Sequence, residues 1–254
     1  MHHLAAHGGS IPPSDIKPKN KEMENPKTTA QLLQDFASAR GLDISQVFDH
    51  FLQYIVWAHT LPEYGKPIGG WPYKHEDGKE MYDIYAGLIK EMQSHRMHHE
   101  GYDIFGEIYE SLIAAKGRRS SNGQFFTPMS ICDLMRGISV TEGKPVGKRV
   151  NDPTCGSGRN LLSFHAKHIG NYMAGEDIDR TCCLMTVCNF ILHGVNGEVI
   201  WHNTLIPDDF KGGWRVNQYL NNPLSKYSGV PHVRPIDKEE YQQYLKQTEL
   251  LTLL

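Results

Sequence analysis

The sequence of 254 residues predicts an α/β protein in which a bundle of helices precedes a parallel sheet. Three observations support this prediction. Apolar residues recur at helical spacing between residues 28 and 116, short apolar strands alternate with helices from residue 148 onward, and the first strand runs into a glycine turn at 155–158. Parallel strands need long crossovers, which are usually helices, so this alternation is typical of a parallel sheet.

The N-terminal part divides into a tail and four helices. Residues 1–27 are rich in His, Pro, Gly, Lys and Asn, and we expect a disordered tail because they offer too little apolar surface to bury. The expected helix starts are Thr28 or Thr29, Ser45, Lys79 and Asp103, each followed by apolar residues at helical spacing. We interpret these apolar stripes as core packing between helices.

The glycine turn at Gly156 and Gly158 lies between an apolar strand at 148–152 and a helix that begins at Arg159. Glycine allows a positive φ and leaves room for a ligand to approach the backbone. The following helix directs its free N–H groups to the same point. The turn therefore indicates a nucleotide or nucleoside cradle. The third glycine of a dinucleotide fingerprint and the Gly-Lys-Ser/Thr of a phosphate loop are both missing from the sequence, which disfavours those two classes.

The elements around the turn follow from the same signals. Pro128 suits the first position of a helix, because its missing N–H would be unpaired there. The residues of that helix expected to point inward are Ile131, Leu134, Met135 and Ile138. Further strands are predicted at 172–175 and 198–202. Asp179 is expected to cap the helix between them, which stops at Gly194.

Two motifs carry a resemblance to a known family. Gly123-Gln124-Phe125-Phe126-Thr127-Pro128 is followed by Asp152-Pro153-Thr154-Cys155-Gly156-Ser157-Gly158. In this order they resemble the adenine-N6 DNA methyltransferases, and specifically the modification subunits of type I restriction systems. The resemblance covers about residues 103–223. It implies a Rossmann-like S-adenosylmethionine-dependent methyltransferase core preceded by an α-helical bundle, with double-stranded DNA as the substrate from which an adenine is flipped.

The resemblance assigns S-adenosyl-L-methionine to a defined set of residues. Those assigned to cofactor binding are Phe125, Phe126, Thr127, Pro128, Asp152, Pro153, Gly156, Gly158, Asp177, Ile178 and Asn203. The Phe-Thr-Pro segment would fold over the methionine end, Asp152 would face the ammonium group, and Asp177 would accept the ribose hydroxyls. Asn203 stands where the family usually has Asp beside the adenine amino group, so we expect weaker binding.

The resemblance weakens at the residues expected to act on the target base. The family's Asn/Asp-Pro-Pro-Phe/Tyr motif holds the protons of the exocyclic amine and stacks the flipped base on an aromatic ring. Asn222 and Pro223 match it, but Leu224 and Ser225 replace the second proline and the aromatic residue. The predicted catalytic set is therefore Asn222, Pro223 and Tyr227, the last as a substitute for the lost ring. Polar residues at 215, 217 and 218 leave open whether the preceding segment is a strand of the sheet.

The predicted domains are a tail (1–27), a helical domain (28–116), a methyltransferase domain (117–224) and a C-terminal extension (225–254). The core is expected to be truncated after its fourth strand, which leaves a sheet edge for a specificity subunit or another protein to cover. The formal net charge of −3 gives no general attraction to DNA. Any basic surface must be local, as at 116–119, or supplied by a partner.

The composition bears on the cellular compartment and on metal binding. An apolar run long enough to span a bilayer, roughly 20 residues, is missing from the sequence, and so is a signal peptide, which favours a cytoplasmic protein. The five cysteines match no zinc-binding pattern, so we expect reduced thiols and no metal site.

Two functions remain in competition. The first is a site-specific adenine-N6 DNA methyltransferase of a restriction-modification system, favoured by the complete set of cofactor motifs. The alternative is a catalytically degenerate protein that binds S-adenosylmethionine and regulates or assembles such a system, favoured by Leu224 and Ser225. Other small-molecule methyltransferases receive little weight, because the Gly-Gln-Phe-Phe-Thr-Pro motif resembles the DNA enzymes.

Overall fold

The computed structural model describes residues 27–65, 75–96, 101–115, 126–140, 143, 145–206, 208–243 and 245. The helices are α1 (Thr29–Arg40), α2 (Ile44–Ala58), α3 (His75–Arg96), α4 (Ile104–Ala115), α5 (Met129–Ser139), α6 (Arg159–Lys167) and α7 (Arg180–His193). The strands are β1 (Arg149–Asp152), β2 (Tyr172–Asp177), β3 (Gly197–Trp201), β4 (Gly212–Val216) and β5 (Val233–Pro235). A last helical segment begins at residue 238.

Helix ends follow the local signals in the sequence. The Thr28 side chain accepts a hydrogen bond from the N–H of Gln31, and the Gln31 side chain accepts one from the N–H of Thr28, so α1 begins with a capping box. Asp179 caps α7 by accepting from the N–H of Thr181, and Gly194 ends that helix with a φ of 66°. These predictions are confirmed. Helix α3 begins four residues before the predicted start at Lys79.

The sheet has the spatial order β1-β2-β3-β4-β5. Strands β1, β2 and β3 are parallel, and β4 runs antiparallel to both of its neighbours, β3 and β5. The segment before Asn217, whose strand character the sequence left undecided, is therefore strand β4, and it runs antiparallel to β3. Val216 pairs with Gly197, so β4 ends where β3 begins. Only residues 202–211 connect the two strands, which is shorter than a parallel crossover needs.

One face of the sheet is apolar and packs against α7. Met173, Val199 and Val216 point to this face, and all three are fully buried. They belong to a cluster of buried side chains that continues through α2 and α4. Because this cluster is continuous, the helical region and the sheet share one core. The predicted domain limits stay predictions, since 116/117 and the tail fall outside the described residues.

The opposite face of the sheet is polar. Glu198 is only 3% exposed and accepts from Arg149 Nη2 at 2.6 Å and from the Tyr172 hydroxyl at 2.8 Å. Beside it, Arg215 and Arg234 both pair with Glu240 at 2.8 Å. Charge pairing therefore satisfies the carboxylates of this face, beside a small second apolar cluster formed by Ile200, Ile236 and Tyr241.

Helix α5 contradicts the expected direction of its apolar stripe. Ile131, Leu134, Met135 and Ile138 are 44–69% exposed, so the prediction that they point inward is wrong. The side of α5 that meets α6 is polar: Arg136 Nε donates to Ser163 Oγ at 3.3 Å, and that hydroxyl donates to Asp133 at 2.6 Å. The sequence pattern identified an amphipathic helix, but hydrogen bonds decide which side docks.

Two properties of the described residues bear on chemistry. Each described helix is too short or too polar to cross a membrane. All five cysteines are free thiols in buried positions, and burial raises the pKa of each, to about 11 for Cys132. Few of these thiols ionise near neutral pH, so they behave as small apolar groups.

Candidate functional site

A cleft of about 800 Å³ opens at the carboxyl ends of β1, β2 and β3. Its walls come from the segment before α5, the glycine turn, the β2–α7 turn and the residues after β3. The lining residues are Phe126, Thr127, Pro153, Thr154, Cys155, Gly156, Ser157, Arg159, Asn160, Asp177, Ile178, Asp179, Cys182, Asn203, Thr204 and Leu205. This is the position at which open α/β sheets bind their ligands.

The floor of the cleft is the glycine turn, and both glycines are required there. Gly156 has a φ of 57° and Gly158 a φ of 90°, values that side-chain-bearing residues rarely adopt. A Cβ at Gly156 would stand 3.0 Å from the Phe126 ring, and one at Gly158 would stand 3.2 Å from Thr186. The turn therefore leaves backbone, not side chain, facing the cleft.

Asp177 lies at the end of β2 and holds the turn in place. Its Oδ2 accepts from the N–H of Gly156 at 2.9 Å, and its Oδ1 accepts from the N–H of Asp179 at 2.9 Å. Burial raises the pKa of Asp177, although these two backbone donors oppose that rise. Each carboxylate oxygen keeps a second lone pair, so the group can still accept from a ligand hydroxyl.

Asp152, Pro153 and Asn203 lie around the same edge of the sheet. Asp152 accepts from the Thr154 N–H at 3.1 Å and from Asn160 Nδ2 at 3.1 Å, and its side chain is not among the groups lining the cleft. Pro153 and Asn203 do line it. Asn203 Oδ1 already accepts from the Leu205 N–H at 3.0 Å, which leaves one lone pair for a ligand.

The Phe-Thr-Pro segment forms a wall of the cleft. Phe126 and Thr127 line it. Pro128 stands outside as the N-cap residue before α5, one position earlier than the first helical position predicted from the sequence. Phe125 lies outside the described residues. The Phe126 ring is 5.5 Å from that of Tyr109 on α4, so the segment is packed against the helical region.

The residues predicted to act on the target base lie elsewhere. Because β4 runs antiparallel, Asn222 and Pro223 follow the end of the sheet opposite the cleft, in exposed turns. Asn222 Oδ1 accepts from the Leu224 N–H at 3.0 Å, and the Tyr227 hydroxyl donates to Glu63 at 2.5 Å. The structure does not bring these three residues to the cleft, and their catalytic role stays a prediction.

Sequence reasoning missed a buried polar cluster directly beneath the turn. Asp103, before α4, accepts from Ser157 Oγ at 2.5 Å and from Arg159 Nε at 2.6 Å. Asn189 on α7 donates to both Asp103 and the Ser157 carbonyl. The acidic residue could not be paired from the sequence, because 54 residues separate it from Ser157.

The fold and cleft define an α/β protein that presents a glycine turn and the Asp177 carboxylate at the carboxyl ends of three parallel strands. The sequence profile of the N-6 DNA Methylase family matches residues 100–245, more than half of the chain. The chain therefore belongs to the N-6 DNA methylase family.

Curated relatives are methylase subunits of type I restriction enzymes. The MpnII methylase subunit of Mycoplasma pneumoniae is 32% identical over 134 residues, which are 48% of this chain and 24% of the relative. The MjaVII methylase subunit of Methanocaldococcus jannaschii is 24% identical over 159 residues, 59% of this chain and 26% of the relative. This chain thus spans about a quarter of the length of these relatives.

Among solved structures, the methyltransferase subunit of a type I restriction-modification system from Streptococcus thermophilus is similar to this chain at 25% sequence identity. The similarity covers 46% of this chain and 26% of that subunit, with a TM-score of 0.31. That score is too low to bear on the arrangement of the sheet.

Proposed function

We propose that this chain binds S-adenosyl-L-methionine in the cleft and serves the reaction of its family, methyl transfer to adenine N6 in DNA within a restriction-modification system. The observation that carries the proposal is the hydrogen bond of 2.9 Å that the Gly156 N–H donates to the Asp177 carboxylate. It puts an exposed peptide backbone and a carboxylate on one side of one cleft. Rossmann-type folds bind nucleosides with a glycine turn and an acidic residue that accepts the ribose hydroxyls.

The cleft residues fit such a cofactor. A Cβ at Gly156 would fill space against Phe126, so the glycine keeps the cradle open for a ligand. Asp177 would accept the ribose hydroxyls, Ile178 and Asn203 would contact the adenine, and Phe126 with Thr127 would cover the methionine end. When bound, the cofactor supplies an electrophilic methyl group on a sulfonium.

The chain's own residues bind and orient. Phe126 is packed against Tyr109, so the wall at the methionine end is fixed and shields that end from water. The hydrogen bond from the Asp179 N–H keeps the Asp177 carboxylate turned towards the cleft. Asp152 stays one residue behind the cleft wall, where its charge would act on the ammonium group through space.

The relatives' names place their methylase subunits in multi-subunit restriction enzymes, and we extend that setting to this chain as part of the proposal. Double-stranded DNA is the proposed substrate, a specificity subunit the proposed partner, and the cytoplasm the proposed compartment. A partner is also consistent with the net charge of −3, which gives this chain no general attraction to DNA.

A second function is favoured by one observation. Asn222 and Pro223 lie at the opposite end of the sheet from the cleft. A protein that binds the cofactor but regulates or assembles a modification complex would need only the cleft. The two functions differ in whether methyl transfer follows binding.

Isothermal titration with S-adenosylmethionine tests the proposal first. We expect the wild type to bind. Asp177→Ala should lose at least about tenfold in affinity, because it removes the two hydrogen bonds that the ribose hydroxyls would donate to the carboxylate. Asp35→Ala, an exposed carboxylate on α1, is the matched control and should bind as the wild type does. A wild-type chain that does not bind would overturn both functions.

Tritiated-methyl transfer to DNA then separates the two functions. The assay is run with the chain alone and with a specificity subunit added. Incorporation in either reaction supports the methyltransferase. Cofactor binding without incorporation in both reactions supports the regulatory or assembly protein.

A further inference from the structure

Four hydrogen-bond donors converge on the buried carboxylate of Asp103, which is 1% exposed and lies just before α4. Oδ1 accepts from the Gly106 N–H at 2.8 Å and from Asn189 Nδ2 at 2.7 Å. Oδ2 accepts from Ser157 Oγ at 2.5 Å and from Arg159 Nε at 2.6 Å. We name this cluster of five residues the turn clamp.

The turn clamp joins three parts of the chain. Asp103 and Gly106 belong to the helical region, Ser157 and Arg159 to the glycine turn and α6, and Asn189 to α7. A carboxylate suits the centre because it accepts from all four donors at once, whereas an amide has a single acceptor oxygen. Asp103 itself does not line the cleft, so any effect of that residue on a ligand must pass through the turn.

Gly106 shows how closely α4 approaches the turn. A Cβ at this position would stand 2.0 Å from Asp103 Oδ2 and 2.8 Å from Ser157 Oγ. Only glycine admits this contact, since no side chain could be accommodated without displacing the clamp. The first turn of α4 is therefore in direct contact with the segment that lines the cleft.

The other side of the turn is held by α7. Thr186 Oγ1 donates to the Gly156 carbonyl at 2.9 Å, and Asn189 Nδ2 donates to the Ser157 carbonyl at 2.8 Å. A turn with two glycines is intrinsically free to adopt many backbone conformations. These contacts remove that freedom before a ligand arrives, which lowers the entropic cost of binding.

We propose that Asp103 is a positioning residue for the cofactor turn, and that the turn clamp couples the docking of α4 to cofactor affinity. The proposal rests on the proposed function, because it takes S-adenosylmethionine as the ligand of the cleft. Linkage makes the coupling reciprocal: the cofactor stabilises the docked α4, and a partner that moves α4 changes cofactor affinity by the same factor.

The first test compares Asp103→Asn with Glu107→Gln in the full chain. Both remove a carboxylate that contacts Arg159, but Glu107 is 54% exposed and contacts the guanidinium at 3.3 Å. We expect the Kd for S-adenosylmethionine to rise roughly 10-fold to 100-fold for Asp103→Asn, as when a residue that orients binding groups is removed. Glu107→Gln should change it less than about threefold. Equal Kd values for Asp103→Asn and the wild type would overturn the proposal.

Hydrogen exchange separates positioning from a general loss of stability. In the wild type, the cofactor should slow exchange at the amides of α4 as well as at 155–158. In Asp103→Asn, exchange at 155–158 should quicken without ligand, and ligand-dependent protection of α4 should vanish. A role confined to stability would quicken exchange throughout the core and leave that ligand-dependent protection in place.

A variant that does not fold and a wild type that does not bind the cofactor lead to different conclusions. If Asp103→Asn does not fold, Ser157→Ala takes its place, because it removes one donor and keeps the Asp103–Arg159 ion pair. It should raise the Kd and quicken exchange at 155–158, and an unchanged result in both would overturn the clamp. A wild type that binds no cofactor would refute the proposed function and with it the coupling, while exchange at 155–158 in the free variants still reports on the clamp.

Discussion

The two faces of the sheet are built from the same strands, but apolar burial dominates one face and ion pairs are prominent on the other. On one face Met173 and Val199 are fully excluded from water by α7. On the other, residues one position away, Tyr172 and Glu198, form hydrogen bonds and ion pairs. Parallel strands covered on both faces read as continuous apolar runs. Here apolar and polar residues alternate, because α7 covers the first face, whereas ion pairs and a small apolar cluster around Ile200 and Tyr241 satisfy the second.

The largest effect is expected on the apolar face. Met173→Ala should lower the free energy of unfolding by about 3 kcal/mol, because it removes buried methylenes and leaves a cavity. The control is Ile138→Ala, since Ile138 is equally apolar but 69% exposed, and its change should stay within about 0.5 kcal/mol. Urea denaturation measures both. Similar losses for the two variants would contradict the assignment of the core to this face.

A substitution on the polar face should lower the free energy of unfolding by less, and the loss should depend on the salt concentration. Glu198→Gln should lower the free energy of unfolding by about 1–2 kcal/mol, below the value for a fully buried pair because Arg149 is 34% exposed. Asp35→Asn removes a carboxylate from the exposed Lys27 pair and should have almost no effect. Chemical denaturation at low and high salt tests this contrast. A loss for Glu198→Gln as large as that for Met173→Ala would break the comparison.

Acid should reduce the contribution of Glu176, on the polar face, to the free energy of unfolding. Burial alone would raise its pKa, but hydrogen bonds from His202 and Asn151 outweigh this and lower the pKa below its ordinary 4.5. A carboxylate with a lowered folded pKa contributes stability above its unfolded pKa and loses that contribution as the pH falls through the folded value. The stability difference between the wild type and Glu176→Gln should therefore shrink below pH 4.5. Unfolding measured along a pH series checks this, and a constant difference would refute it.

The smallest effect is expected for Asn151→Ala on the exposed edge strand β1. It removes one of the donors to Glu176, so the free energy of unfolding at neutral pH should change by no more than about 0.5 kcal/mol. The titration of Glu176 should nevertheless move to higher pH, which carbon-detected NMR of the side chain would show. An unmoved titration would mean that Asn151 does not contribute to the lowered pKa of Glu176.

Local signals explain what the sequence could predict. The caps at Thr28 and Asp179, the stop at Gly194 and the glycine turn each depend on a few neighbouring residues. The family resemblance assigns Phe126 to cofactor binding. The residue lines the cleft, and its contact with a cofactor stays a prediction. These features are fixed by chemistry that a short stretch of sequence contains.

Long-range choices could not be predicted in the same way. The reversal of β4 depends on the length of its connection to β3, and the residues of a strand do not reveal its direction. The apolar stripe of α5 is real, but hydrogen bonds to Ser163 turn it to solvent. Three of the four partners of Asp103 are 54, 56 and 86 residues away, so its role needed coordinates.

The burial of all five cysteines makes this chain a convenient host for site-selective labelling. Thiol-directed dyes and spin labels react with exposed thiolates, and here burial suppresses both exposure and ionisation. A cysteine introduced at Leu224, which is 95% exposed, would therefore be labelled against a low background in the otherwise unaltered chain. A fluorophore there, paired with one near the cleft, would report distances across the sheet.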